Sequence, residues 1–285
     1  MEKVSEQRDI SIPVAHQEST QESAPLFAEP IFHLGSFPIT NSLVMSWITV
    51  AILVTFFIKA GRKAKKVPKG VQNIFEMILD EAIKLADSIT GNRKKTERFL
   101  PIVFSLFLFV LVNNWIGLFP GVGTIGFNEV EAGHITFVPF LRGGSADLNM
   151  TLAISLFAVL MSHIFGIIAV GVWHYFNKFV NFKAAFEITK KARKEPTLLM
   201  INPIKIFVGL IEIVGEIAKV VSLSLRLFGN IFAGEVLLGS MMALFAYFLP
   251  LPFMFLEIIV GIVQAMVFAI LTLAFMSIAE MSHEH

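Results

Sequence analysis

Arg226 stands in the middle of an apolar run that is long enough to lie in a membrane: Val-Val-Ser-Leu-Ser-Leu-Arg226-Leu-Phe-Gly-Asn230-Ile-Phe-Ala-Gly-Glu235-Val-Leu-Leu-Gly. A fixed cation at membrane depth costs about 3 kcal/mol or more. Arginine cannot relieve that cost by shedding its proton. A chain that keeps one there must set it against protein or water. A permanent cation flanked by an amide and an acid at that depth points to ion handling.

Composition fits this reading. Of 285 residues, 55% are hydrophobic and 16% charged, and the mean hydropathy is +0.73. That profile belongs to a polytopic membrane protein, all-α, and not to a soluble domain. A net charge of +1 gives no bulk attraction for nucleic acid, and the lack of cysteine excludes disulfides and thiolate metal sites. No G-x-x-x-x-G-K-[ST] loop occurs, so no nucleotide site, cofactor or catalytic centre is expected on this chain. Residues 1–38 are polar and acidic, without the basic start and early apolar core of a cleavable signal peptide. They are expected to form a loosely ordered extracytoplasmic tail with a short amphipathic piece near residues 26–34.

A membrane-spanning helix needs about 20 apolar residues. About five spans are expected: Ile39–Ile58, Phe99–Phe119, Met150–Trp173, a long stretch Pro203–Leu249, and Pro252–Ala279. Pro101 suits the first turn of the second, and Pro250 and Pro252 mark a turn between the last two. Gly70–Thr90 alternates apolar and charged residues at helical spacing, as an amphipathic helix at the surface or against a partner does. A single membrane domain then covers 39–280, with a short cytoplasmic tail at 281–285. Segment 59–98 holds eleven Lys and Arg and segment 177–202 holds six, whereas 120–148 holds only Arg142. The positive-inside rule places the N-terminus outside and the C-terminus in the cytoplasm.

The fourth stretch, as one helix, would run roughly 70 Å against a hydrocarbon core of about 30 Å. It must be tilted, bent or partly interfacial. At 100° per residue Glu212, Glu216, Lys219, Ser222, Arg226 and Asn230 share one stripe, and Glu235 falls on the opposite face, about 13 Å further along. In an antiparallel hairpin, Glu257 of the last span approaches Glu235, and Gln264 lies near the depth of Arg226. Two carboxyls brought together at depth would share a proton. Gly209, Gly215, Gly229, Gly234 and Gly239 let another helix approach closely.

The run Ser222-Leu-Ser-Leu-Arg-Leu-Phe-Gly-Asn-Ile-Phe-Ala-Gly-Glu235 resembles the signature of subunit a of the F-type ATP synthase membrane sector. So do Asn202-Pro-Ile, Asp147-Leu-Asn149 and Gln264-Ala-Met-Val-Phe, in order over roughly residues 30–280. The resemblance implies a stator channel with two offset half-channels beside a rotating ring of small proteolipid subunits. Its further partners would be a peripheral stalk membrane subunit, the soluble ATPase sector and membrane lipid. It implies that Arg226 is the essential arginine, with Asn230 and Gln264 as its polar neighbours. Glu235 becomes the relay acid of the outer half-channel and Glu212 an acid of the cytoplasmic one. Glu257 sits where some members carry a histidine. The setting implied is a bacterial plasma (inner) membrane and the ion most simply a proton, although the chain itself does not fix proton against sodium.

Other side chains keep two readings. Glu216, like Glu212, lines a channel or is a solvated interfacial acid. Asp147 lines the outer mouth or caps a helix. Asn113 and Asn114 wet a channel or bond between helices. His163 makes a helix contact or relays protons. Lys219 snorkels or functions. A self-contained secondary ion transporter is the competing function, but the chain lacks the internal repeat that such a fold carries. A non-conducting scaffold would leave the buried charges without a purpose.

Overall fold

The computed structural model describes residues 27–62, 70–119, 121–131, 134–179, 196–245 and 248–281. A short hairpin, β1 (Pro30–Leu34) and β2 (Phe37–Thr40), leads into α1 (Asn41–Arg62). The amphipathic α2 (Val71–Thr90) and α3 (Arg93–Gly117) follow, then a second hairpin, β3 (Gly126–Glu131) and β4 (His134–Pro139). A single 3-10 turn, Gly144–Ala146, precedes α4 (Leu148–Val170) and α5 (Val172–Phe179). The long α6 (Pro196–Leu244) and α7 (Pro250–Met281) complete the order. Among the described residues, four helices are each long and apolar enough to cross a membrane: α1, α3, α4 and α7. The chain is an all-α polytopic membrane protein with two small hairpins at one end.

Local chemistry sets the element ends. Gly91 adopts φ 64° and closes α2 with its N–H on Asp87 O at 2.9 Å, a left-handed cap that glycine adopts without steric cost. Asn92 then caps α3 by accepting from Lys94 N at 2.9 Å. With only Gly91 and Asn92 between them, α2 and α3 form a tight corner, locked by Thr90 and Thr96 hydroxyls 2.7 Å apart. The charged turns Arg93–Arg98 belong to the helix, so Pro101 lies inside α3 and not in its first turn as expected. The ion pairs of Arg93 with Asp87 and Glu97 extend the helix beyond its apolar length. Similarly, α4 stops at Gly171 with φ 90°, and the chain turns into α5 where a continuous span to Trp173 was expected.

Residues 30–34 and 37–40, expected as the end of the tail with its amphipathic piece and the start of the first span, form strands packed on the bundle. Asn41 Nδ2 donates to Pro139 O at 3.2 Å and to Glu29 Oε2 at 3.3 Å, so both hairpins share one anchor. Their backbone groups pair across the strands, which a lone amphipathic segment at this end could not achieve. The rest of the expected tail, and most of the basic loop 177–202, lies outside the described residues.

α3, α4, α6 and α7 supply the core. Leu106 and Val110, Ile154 and Ala158, Leu223 and Leu227, and Ala265 and Phe268 pack together across these four helices. A second cluster joins Ala86 of α2 to Phe99, Val103, Ala269, Leu273 and Met276. Thus α2 packs one apolar flank, with Ala86 and Ile89, on α3 and α7, and leaves Ile74, Met77, Ile78 and Leu85 exposed. The outward faces of α1 and α4 carry exposed Trp47, Ile52, Phe56, Leu156 and Leu160, the surface expected against lipid. Of the stretch 203–249, residues 203–244 prove to be part of one unbroken helix of 49 residues, roughly 74 Å long at 1.5 Å per residue.

Phe99 is fully buried, with its ring centroid 5.0 Å from that of Phe165. Phe99→Ala should remove about 3 kcal/mol of packing. The expected result is a drop of several degrees in the thermal inactivation midpoint of the solubilised protein.

Candidate functional site

Three polar stations lie along α6. The first is at the hairpin end. Asp147 is 3% exposed and caps α4, accepting from Asn149 N at 3.0 Å and from Ser42 Oγ at 2.6 Å. It is thus a cap tied to α1. Asn113 Oδ1 accepts from Gly144 N at 3.3 Å, and a side chain at Gly144 would strike that amide. Arg142, counted in the sequence only as a topology signal, reaches from this loop to α6. Its Nε donates to Glu235 Oε1 at 3.1 Å and Nη2 to Glu235 Oε2 at 3.0 Å, while Nη1 donates to Phe27 O at 3.3 Å. The two-point fit of guanidinium to carboxylate fixes the Glu235 head group in both position and plane. Arg142, Glu235 and Asn114 line a cavity of about 610 Å³ with Ser145, Leu238 and Met254.

Glu257 of α7 is 6% exposed, and its carboxyl group occupies the space that the missing side chain of Gly234 leaves. The antiparallel packing therefore brings Glu257 against Gly234, the chain neighbour of Glu235. The charge partner of Glu235 is Arg142, a cation that the expected carboxyl pair did not include. Glu257 Oε1 has no hydrogen-bond partner among the described residues.

The second station is Arg226. It is exposed, as are Ser222, Gly229 and Asn230 on the same face. Its Nη2 donates to Ser222 Oγ at 3.4 Å, and it shares a crevice with Gln264 between Leu223, Leu227 and Phe268. Among the described residues no carboxylate pairs with it. Gly215, Gly229 and Gly239 have nothing within 4 Å of where a side chain would begin. Ser224, on the inner face, bonds to Thr151 at 3.1 Å and ties α6 to α4.

The third station lies at the α5 end. Glu216 Oε1 accepts from Lys219 Nζ at 2.8 Å, and Glu216 Oε2 lies 3.7 Å from His163 Nε2. Lys219 Nζ lies 5.2 Å from the Phe275 ring centroid, a cation–π contact. His163 Nδ1 hydrogen-bonds to the Tyr175 hydroxyl. Tyr175 is buried, its ring against Gly166, where any side chain would collide. Burial, then the negative charges of Glu216 and Glu212, push the Tyr175 phenol up to about 12, so it keeps its proton at any physiological pH. Glu212 is half-exposed.

The single stripe expected on α6 is therefore divided. Ser222, Arg226 and Asn230 remain on the open face, whereas Glu216 and Lys219 meet α4, α5 and α7. Glu216 lies 80° around the helix from Arg226, and the edge of the bundle passes between them. Sequence reasoning missed Arg142 and Tyr175. The clue to Arg142 was its being the one cation of segment 120–148. Tyr175 had no comparable signal. Among the described residues, no three His, Asp or Glu side chains gather in a metal-binding group.

Residues 43–277 match the family described as ATP synthase A chain. Similar proteins include an ATP synthase subunit a of Moorella thermoacetica, 32% identical over 257 residues, or 90% of this chain and 96% of that one. The ATP synthase subunit a of Syntrophobacter fumaroxidans is 32% identical and covers 88% of each chain. The ATP synthase subunit a 2 of a Bradyrhizobium species is 29% identical over 90% of this chain and 96% of its own.

Removing one partner of a buried ion pair costs more than replacing both. Because Glu235 is 37% exposed, solvent reduces the effect to about 2 kcal/mol. Arg142→Met alone should therefore lower thermal stability more than the double change R142M/E235M, measured on the solubilised protein at one pH.

Proposed function

This chain belongs to the ATP synthase A chain family, and on that premise we propose that it is the ion-conducting stator subunit of a rotary F-type ATP synthase. In this reading it works in a bacterial plasma membrane beside a ring of small proteolipid subunits. A peripheral stalk subunit holds it still, and the soluble ATPase sector uses the rotation. The hairpin end faces outside and the α5 end faces the cytoplasm, an orientation supported by the Lys and Arg bias of the loops.

The observation that carries the proposal is Arg226. It is a permanent cation on an open, glycine-lined helix face, with no carboxylate of its own among the described residues. Its counter-charge has to come from a partner, and a carboxylate carried past by a ring helix supplies one. At 4 Å and an effective dielectric constant of 20 the attraction is about 4 kcal/mol. That is enough to make a ring carboxyl give up its ion when it reaches Arg226 and take a new one on leaving.

The flanking stations support the two transfer routes. Glu235 and Asn114, which line the cavity of about 610 Å³, serve the outer route together with Glu257, whose carboxyl group lies against Gly234. Glu212 and Glu216 serve the cytoplasmic one. They lie about 13 Å and 15–21 Å along the helix from Arg226, on opposite sides. The guanidinium repels a cation that would pass directly from one route to the other, so passage requires the ring to turn. Gln264 and Asn230 line the place where the ring carboxyl meets the arginine.

Arg226→Ala should abolish ion-driven ATP synthesis in vesicles carrying the assembled complex while the ATPase sector still hydrolyses ATP. Undiminished synthesis at matched assembly would remove the proposed role.

A further inference from the structure

We propose that His163 exchanges protons with Glu216 in the route at the α5 end, and that Tyr175 is the residue that positions it. The proposal rests on the stator reading above and adds the ion and two residues to it. Three elements converge here. His163 comes from α4, Tyr175 from α5 and Glu216 from α6, and both imidazole nitrogens face a partner, Nδ1 the phenol and Nε2 the carboxylate at 3.7 Å. A histidine that served only as a helix contact needs one such bond. This one is aimed at a carboxylate oxygen that has no hydrogen bond among the described residues.

Several charged groups face the imidazole. From α6, Glu216 pairs with Lys219, and Glu212 acts on the same cluster through Tyr175. From α5, Tyr175 stays neutral and His174 is exposed. From α7, Glu280 is already matched by Lys95 at 3.7 Å and by Arg98 at 3.9 Å, and Arg98 lies over the Phe165 ring of α4. Among the described side chains within reach of Glu216, imidazole is the kind whose charge ordinarily changes between about pH 5 and 8.

The step conserves protons. With Nδ1–H donated to the Tyr175 oxygen, Nε2 presents its lone pair to Glu216. A proton on the Glu216 carboxyl passes to Nε2, directly after a small rotation or through one water. The products are a carboxylate and an imidazolium, which pair. The imidazolium then releases that proton from Nε2 to water and returns to its neutral form. Tyr175 keeps its own proton throughout, because burial and the two acids hold its phenol at about 12, so it orients the ring without carrying charge. Gly166 makes this possible, since any side chain there would occupy the place of the Tyr175 ring.

The test is ATP synthesis by the intact complex in vesicles, driven by a potassium diffusion potential at equal pH on both sides and followed as pH is varied. Wild type should show a limb with an imidazole midpoint between about pH 5 and 8. His163→Gln should lower the rate about tenfold or more and flatten that limb. Tyr175→Phe should retain the limb with a displaced midpoint. A wild-type rate and limb in H163Q would overturn the proposal. If H163Q assembles poorly, Y175F decides: an undisplaced midpoint overturns it. Synthesis driven by a sodium gradient at constant pH would also overturn it. Arg226→Ala in the same assay separates the two levels. Loss of synthesis in R226A with an unchanged H163Q removes only this inference, whereas full synthesis in R226A removes the stator reading beneath it.

Discussion

A charge inside an apolar bundle has to be matched within a few ångströms or left facing something that will match it, and the polar architecture of this protein follows from that requirement. Arg142 is matched by Glu235. Glu216 is matched by Lys219. Glu280 is matched by Lys95 and Arg98. Arg226 differs: its face is exposed and, among the described residues, no carboxylate pairs with it. In the proposed function a moving partner supplies that counter-charge. The fold supports this by holding α6 against α4 and α7 along its inner side while its outer side stays clear.

The same requirement explains the ends of the bundle. At the hairpin end, Arg142 bridges the loop before α4, the segment before β1 and the acid of α6. Three separate stretches of chain are thereby referred to one carboxylate. At the α5 end, a glycine stops α4, the chain turns, and Tyr175 folds back over Gly166 onto His163. At the α5 end a small residue creates the room and a polar side chain fills it. Gly234 and Glu257 repeat that arrangement near the turn between α6 and α7.

Much of this was legible in the residues because membrane burial writes strong signals. Apolar length gave α1, α3, α4 and α7, and the helical period of Gly70–Thr90 gave α2. The proline turn and a seven-residue spacing brought Glu257 and Gln264 to the depths of Glu235 and Arg226. What could not be read were contacts that depend on loop conformation. Arg142 finds Glu235 across 93 positions of sequence, and no local period encodes that. Tyr175 meets His163 only because the helix breaks at Gly171, whereas the hydropathy pattern ran on through Trp173. The α6 stripe divided because a wheel gives angles about one axis and says nothing about where the neighbours begin. Pro101 was misplaced for a related reason, since ion pairs carried α3 beyond its apolar stretch.

The central claim is that two aqueous routes reach α6 from opposite sides and that neither passes Arg226. Because the chain has no native cysteine, single cysteines can be placed along α6 and a membrane-impermeant thiol reagent applied to the assembled complex from one side at a time. Glu235→Cys should react only from outside, and Glu212→Cys and Glu216→Cys only from the cytoplasm, with the changeover at Arg226. A position that reacts equally from both sides, or a changeover far from Arg226, would contradict it.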